Sequence, residues 1–337
     1  MKKIVLFLSL LSSTLVAYSD NQTSQKDLDT VRTPKLIVTS FYPLAFMTEQ
    51  IVGEKAQVIN MAGSVDVHVY EPSPQDLVKL NKADLVIFQG AELEPWTDGV
   101  IPELKTKGVP AIEVSHSLDL AKTEEHDDHN KHKDEHEKPA DEHHAAEKSN
   151  KKEKHKDEHG EHHHGEFDPH TWLDPVLAQK MANTILKAVV AIDSANETSY
   201  QANAQVLKDR FAQLDKAFQT GLAQCANEEL IISHDAYGYL SRRYGFHAHT
   251  ITGFSPHDEP SAKILAALKE EAEEGISHIL IEENNIRRFA DTLARETGLE
   301  TLPANPLGRG TLNPQKDFFD VMQENLNSFK TALNCQK

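Results

Sequence analysis

The sequence FDPHTWLDP, residues 167–175, closes a long polar segment and opens a helix. A proline stiffens the backbone before His170, and the apolar Trp172 after it can anchor the segment in packing. Asp174 followed by Pro175 is typical of a helix N-terminus, with aspartate as the N-cap and proline at the first helical position. The stretch therefore predicts a histidine that is held in a fixed position just before a helix.

The segment before this stretch, residues 121–166, is crowded with histidine, acidic residues and lysine. Eleven of the nineteen histidines of the chain lie between His126 and His164. Almost no apolar residues interrupt them, so this part of the chain cannot bury a core. We expect a disordered acidic loop whose histidines collect metal ions weakly, in contrast to the fixed His170.

Residues 1–19 have the pattern of a secretory signal peptide. Lys2 and Lys3 precede a short apolar run, and small residues around Ala17 and Ser19 allow cleavage. The apolar run is shorter than the roughly 20 residues that a membrane anchor needs. The cleavage region contains no cysteine to which a lipid could be attached. We expect an exported protein that is soluble in the periplasm.

Composition narrows the class of protein further. The 337 residues carry a formal net charge of −18, a field that suits cations and argues against nucleic acid as a partner. The length that remains after the leader and the polar loop suffices for two modest domains. The only two cysteines, Cys225 and Cys335, exclude a disulfide-rich scaffold. In an oxidising compartment they form one bridge, or else they stay as two separate buried thiols.

Short apolar runs that alternate with helical segments predict the fold class. The runs lie at residues 35–40, 58–61, 83–90 and 109–114 in the first half, and at 229–233, 246–251, 276–281 and 300–303 in the second. Strands that alternate with helices are typical of parallel sheets. We therefore predict an α/β protein of two lobes, each with a parallel β-sheet flanked by helices, joined by a long rigid helix.

The helices between the two halves define the expected domain boundaries. One apolar stripe at helical spacing begins at Pro175 and covers about 18 residues, or roughly 27 Å, and a second covers residues 200–222. We predict an N-terminal lobe at residues 34–172, a linking helix at 173–200 and a C-terminal lobe at 201–337.

Three histidines lie where parallel sheets usually bind ligands, beyond the carboxyl ends of the strands. His68 is in a loop that follows a predicted strand, His234 ends a strand, and His170 stands at the junction of the first lobe with the linking helix. We expect the three imidazoles to share one cation between the lobes. Imidazole ligands favour zinc and copper over manganese or magnesium.

Other candidate ligands are weaker. His247 and His249 form a His-x-His pattern on a predicted strand, as in some metal enzymes. We interpret them as ordinary strand residues, because nothing nearby in the sequence supplies the carboxylate or lysine that such a site needs. For Glu282 and Glu283, a ligand pair and a solvated loop are both open.

Four motifs carry a resemblance to a known family, the zinc-binding proteins that serve bacterial metal ABC importers (ZnuA-type, cluster A-I). They are VHVYEPSPQD (67–76), FDPHTWLDP (167–175), SHDAYGYL (233–240) and GFSPHDEPSA (253–262). The match spans essentially the whole mature chain with the motifs in order. The resemblance implies two lobes joined by a long rigid helix, one metal ion at their interface and no chemical turnover.

The resemblance also implies roles for individual residues. It assigns metal ligation to His68, His170 and His234, and it favours zinc because manganese-importing relatives tend to carry a carboxylate at the third position. Zinc-specific relatives often place the partner of the C-terminal cysteine near His278, so the position of Cys225 departs from the family.

The fourth ligand position also departs from the family. Many relatives carry an aspartate or glutamate in the loop after the last strand, where this sequence has Asn305 and Gly308. A water molecule, Glu283, Asn305 or a histidine of the polar loop is open for the fourth position.

We therefore predict an exported receptor that captures Zn²⁺ and delivers it to an ABC-type permease of the inner membrane. We expect a monomer without catalytic residues. One alternative is a secreted zinc hydrolase, since three histidines and an open position also describe catalytic zinc. No general base is identifiable on the same motifs. The other alternative is a passive metal buffer or adhesin.

Overall fold

The structure, a computed structural model, describes residues 33–122, 166–273, 275–282, 287–311 and 313–336. Two predicted segments lie outside these ranges: the signal peptide, and the histidine-rich loop apart from its first two residues and its last one. Among the described residues, no helix is both long enough and apolar enough to span a membrane.

The first lobe contains a four-stranded parallel sheet with the strand order β2-β1-β3-β4. Its strands are β1 (Lys35–Thr39), β2 (Ala56–Asn60), β3 (Leu85–Phe88) and β4 (Ala111–Glu113), and its helices are α1 (Tyr42–Val52), α2 (Pro74–Lys82) and α3 (Thr97–Thr106). All four residues of β3 are buried, as expected for an apolar run in the middle of a sheet that is covered on both faces.

The second lobe repeats this arrangement with the strand order β6-β5-β7-β8, again all parallel. Its strands are β5 (Glu229–His234), β6 (His247–Thr252), β7 (His278–Ile281) and β8 (Glu300–Pro303). Its helices are α6 (Gly238–Tyr244), α7 (Ala262–Glu273), α8 (Arg287–Thr297) and α9 (Phe318–Ala332). The predicted α/β class with two parallel sheets is confirmed.

Two long helices lie between the sheets in sequence, α4 (Pro175–Ile192) and α5 (Glu197–Gly221). Asp174 caps α4, because its Oδ1 accepts hydrogen bonds from the backbone N–H groups of Val176 and Leu177. A short 3₁₀ turn, Ser194–Asn196, separates the two helices within the segment predicted to link the lobes. Helix α5 spans 25 residues, or roughly 37 Å.

Aromatic side chains join α5 to both lobes. Phe211 of α5 packs against Phe318 and Phe319 of the second lobe, with ring centroids 5.6 and 4.9 Å apart. Phe318 in turn stacks on Phe46 of α1 in the first lobe at 5.5 Å. Aromatic pairs at such distances stabilise a contact beyond the apolar area that they bury. Through Phe318, these rings connect α5 and the second lobe with α1 of the first lobe.

The segment around Trp172 ties the two lobes together from the other side. Trp172 is fully buried and packs edge-on against Phe41, with ring centroids 4.8 Å apart. Its indole Nε1–H donates a hydrogen bond to the carbonyl oxygen of Pro306 in the second lobe, at 2.7 Å. The predicted anchoring of His170 by Trp172 is confirmed.

Cys225 and Cys335 form a disulfide bridge. The bridge connects the end of the chain to the segment between α5 and β5, and the two cysteines also pair as an isolated antiparallel bridge. Of the two predicted arrangements, the structure has the single bridge.

Candidate metal centre

The three predicted histidines come from three loops or strand ends and meet at one point. His68 lies in a 3₁₀ turn, Val67–Val69, His170 directly precedes the 3₁₀ turn before α4, and His234 is the last residue of β5. One ring nitrogen from each side chain lies within 4.8 Å of the other two. His170 and His234 are almost completely buried.

The spacing suits a tetrahedral cation. The Nε2 atoms of His68 and His170 are 3.2 Å apart. Two nitrogen ligands at 2.0–2.1 Å from a tetrahedral zinc ion would lie about 3.3 Å from each other. These two rings therefore stand at almost the separation that shared coordination requires.

A carboxylate holds the other nitrogen of each ring. The distances from Nδ1 to the carboxylate oxygen are 2.7 Å for His68 with Asp66, 2.9 Å for His170 with Asp168 and 3.0 Å for His234 with Glu282. An Nδ1–H that donates to a carboxylate fixes the tautomer, so that Nε2 carries the lone pair that can ligate a metal ion. This carboxylate–histidine arrangement is the usual environment of histidines that ligate zinc.

Two of these carboxylates act through the same local geometry. Asp66 and Asp168 each precede their histidine by two residues, and each accepts hydrogen bonds from both the backbone N–H and the Nδ1–H of that histidine. Sequence reasoning missed both residues, although the repeated Asp-x-His pattern was visible. The pattern orients the imidazole by local contacts alone.

Glu282 has a role that the sequence did not indicate. It follows β7, the strand next to β5, and is only 6 % exposed, with its carboxylate against Nδ1 of His234. Glu282 is therefore buried and not part of a solvated loop, and the contact that its carboxylate makes is with the ring of a proposed ligand. Glu283 lies outside the described residues.

The electrostatics of the site keep His170 neutral. Burial, followed by the neighbouring His68 and His234, lowers the pKa of His170 well below its ordinary value. Burial also raises the pKa of Asp168 to about 7. A neutral imidazole is the form that ligates a metal ion, so protons compete little for His170 at neutral pH.

The loop after β8, which carries a carboxylate in many relatives, lies next to the site but has Asn305 and Gly308 at the corresponding positions. The side chain of Asn305 turns into its own loop, where Oδ1 accepts from the backbone N–H of Leu307 at 2.7 Å and Nδ2 donates to the carbonyl of Gly310. A Cβ atom at Gly308 would lie 3.8 Å from Cε1 of His68. Asn305 is thus not brought to the histidines, and position 308 faces them without a side chain.

His257 adds a contact across the site. It lies in the loop between β6 and α7 of the second lobe, and its Nε2 is 3.5 Å from Oδ2 of Asp66 in the first lobe. Although burial opposes it, the neighbouring His257 and the hydrogen bonds from His68 hold the pKa of Asp66 well below its usual range. The carboxylate that orients His68 is thereby kept ionised and in contact with both lobes.

Two similar lobes with three oriented imidazoles at their seam define a class of protein, the two-lobed metal-binding receptor. Comparison with protein families narrows this class. The family model described as "Zinc-uptake complex component A periplasmic" (ZnuA) matches residues 37–332. The chain belongs to the ZnuA family, and it is a zinc-binding solute-binding protein of an ABC-type uptake system.

Individual relatives agree with this assignment. The chain is 33 % identical over 325 residues to the high-affinity zinc uptake system protein ZnuA of Bacillus subtilis, covering 95 % of this chain and 94 % of that protein. It is 32 % identical over 342 residues to the zinc-binding lipoprotein AdcA of Streptococcus pneumoniae, and it spans only 62 % of the length of AdcA. The crystal structure of the Zn(II)-bound ZnuA-like domain of AdcA superimposes with a TM-score of 0.69 at 29 % identity, covering 90 % of this chain and 100 % of that domain.

Family membership decides between a transport receptor and an enzyme. The family consists of transport receptors and not of enzymes, which sets the hydrolase alternative aside. Zn²⁺ is the bound cargo, as predicted. The family also places the protein outside the cytoplasm.

Proposed function

We propose that His68, His170 and His234 are the protein ligands of the transported Zn²⁺. The single observation that carries this proposal is the triad of imidazoles, each with a carboxylate on Nδ1 and with one ring nitrogen within 4.8 Å of those of the other two. Three imidazoles favour zinc over manganese, whose usual ligands are carboxylates and water.

The ligand assignment is tested by zinc binding in competition with a high-affinity chelator, which isolates the tight site from the weaker histidines of residues 121–166. We expect one tight zinc per chain in the wild type and its loss in each of the variants His68→Ala, His170→Ala and His234→Ala. His116→Ala is the matched control, because His116 is exposed and is not part of the triad. Tight binding that survives in any of the three variants would contradict the assignment.

We further propose that the protein acts in the periplasm as a monomer and transfers Zn²⁺ to an ABC permease of the inner membrane. The signal-like residues 1–19 and the absence of a cysteine from that region support a freely soluble form. Zinc uptake by cells that lack the protein should be restored by the wild type and not by His170→Ala. Recovery of the mature protein from membranes only, after osmotic shock, would favour an anchored form instead.

The domain boundaries remain part of the proposal: an N-terminal lobe at 34–172, a linking segment at 173–200 and a C-terminal lobe at 201–337. The matching strand orders of the two sheets support the division. Limited proteolysis of the metal-free protein, with zinc-loaded protein as the control, tests whether cleavage falls between the proposed lobes.

A further inference from the structure

A second group of potential ligands lies in the second lobe, away from the triad. It consists of Glu229 at the start of β5, His249 in β6 and Glu271 in α7, and one ligand atom from each lies within 4.8 Å of the other two. Nε2 of His249 is 3.6 Å from Oε2 of Glu229 and 3.9 Å from Oε2 of Glu271.

The fold brings these three residues together from distant parts of the sequence. Ile231 is the register partner of His249 in the parallel pair β5–β6, and Glu229 faces the same side of the sheet because it is two residues from Ile231. Helix α7 covers this face, with Leu268 packed in the same apolar cluster as Ile231. Glu271 follows Leu268 by one turn of the helix and reaches the end of the sheet where Glu229 lies.

The distances suit a shared cation. A protonated histidine in direct contact with a carboxylate lies about 2.7–2.9 Å from it, whereas both carboxylates here stand farther off. Ligand atoms on a tetrahedral zinc ion are separated by about 3.3–3.5 Å. Small adjustments of the side chains would therefore bring all three ligand atoms within coordination distance of one ion.

The surroundings of the Nε2 atom of His249 also support a bound cation. Its Nε2 atom is shielded from solvent and has no hydrogen-bond partner among the described residues, which is uncommon for a polar atom in that environment. The side chains of Glu229 and Glu271 are 46 % and 37 % exposed, so two of the three potential ligands are accessible from solvent.

We propose that Glu229, His249 and Glu271 bind a second divalent cation of the zinc class. The two carboxylates neutralise the charge of the ion, and the imidazole favours zinc over magnesium and calcium. With water completing the coordination, this site binds more weakly than one built from three imidazoles. It goes beyond the proposed transport function, because it shares no residue with the triad.

The position of this site makes it independent of the first. Glu229 begins β5 and His234 ends it, so the two sites lie at opposite ends of the strand, about 16 Å apart. A cation at the second site would connect β5, β6 and α7 in the second lobe and leave the seam between the lobes unchanged. No carboxylate lies near the His-x-His pattern of His247 and His249 in the sequence, but the fold brings those of Glu229 and Glu271 close to His249.

Crystals of the full chain grown with zinc, with anomalous scattering measured above and below the zinc edge, test the proposal directly. We expect a peak at the triad and a second peak within about 2.0–2.2 Å of the three proposed ligand atoms. In solution, titration of the full chain with zinc should show one site fewer in His249→Gln and in Glu271→Gln than in the wild type. His247→Gln is the matched control, since His247 lies on the same strand, is exposed and is not part of the cluster.

Two outcomes would overturn the proposal. One is an occupied triad with no anomalous density at the cluster. The other is density at the cluster only after soaking in millimolar zinc, with equal stoichiometry in solution for wild type and His249→Gln, which would mean binding at crystal concentration only. Circular dichroism of each variant confirms that it is folded, so that a lost site is not mistaken for lost structure.

Discussion

Replacing Glu282 with glutamine should weaken zinc binding without changing any proposed ligand. The carboxylate of Glu282 lies 3.0 Å from Nδ1 of His234 in a nearly dry environment. A hydrogen bond to a charged group stabilises by about 1.5–3 kcal/mol and a neutral one by about 0.5–1.5 kcal/mol. The amide oxygen of glutamine can keep the neutral bond, so the expected loss is about 1–1.5 kcal/mol, or roughly tenfold in the dissociation constant. This estimate falls at the lower end of the range of about 10–100-fold that is usual for residues behind a metal ligand.

The measurement is the zinc dissociation constant of Glu282→Gln by chelator competition, with the melting temperature of the metal-free protein as a check on folding. Glu300→Gln is the matched control. Glu300 also lies beside a histidine, 3.7 Å from Nε2 of His278, but its side chain is 84 % exposed and distant from the triad. We expect no change in the control. A dissociation constant for Glu282→Gln within twofold of the wild type would refute the idea that the carboxylate strengthens His234 as a ligand.

Three further predictions concern stability and pH. Reducing the bridge between Cys225 and Cys335, or replacing Cys225 with serine, should lower the free energy of unfolding by about 2–5 kcal/mol, because the bridge closes a loop with a sequence separation of 110. Urea denaturation with and without dithiothreitol measures this free energy, and a wild type that is insensitive to the reductant would contradict the prediction. The nearby carboxylate of Asp66, 3.5 Å from Nε2, raises the pKa of His257 above its usual 6.5. Their ion pair therefore stabilises the fold fully below that value and is lost as the pH rises through the raised pKa. The difference in melting temperature between metal-free wild type and His257→Gln should shrink from pH 5.5 to pH 8, and a constant difference would exclude the ion pair as its cause. The side chain of Asp317 caps α9 by accepting hydrogen bonds from two backbone N–H groups. Asp317→Ala should therefore lower the free energy of unfolding by about 1–2 kcal/mol, whereas Asp317→Asn should keep most of the cap. Equal losses of stability for the two variants in thermal denaturation would argue against capping.

The elements that were predictable from the sequence are those whose signal is local. Buried runs such as Leu85–Phe88 and the proline-opened helix Pro175–Ile192 carry their pattern within a few residues. The placement of His68 and His234 at one edge followed from a general property of parallel sheets and needed no knowledge of side-chain geometry.

The features that escaped prediction depend on contacts between distant segments. Glu282 reaches His234 only because β7 pairs with β5, and Glu271 reaches His249 only because α7 folds over β6. Neither contact can be predicted from the spacing of residues along the chain. Asn305 was a candidate ligand by its position alone, and hydrogen bonds within its own loop decided its orientation.

The two flanks of the histidine-rich segment meet just before His170. Lys122 pairs with Phe167 as an isolated antiparallel bridge, and its ammonium group contacts Glu166 at 2.8 Å. The backbone N–H of Asp168 also donates to the carbonyl oxygen of Ala121. Residues 122 and 166 are therefore close together in space. A foreign peptide or a fluorescent label with closely spaced ends can be inserted between them without redirecting the backbone that leads to His170. Such an insertion would be joined to the chain four residues before His170, so its reporter would lie close in sequence to a proposed zinc ligand.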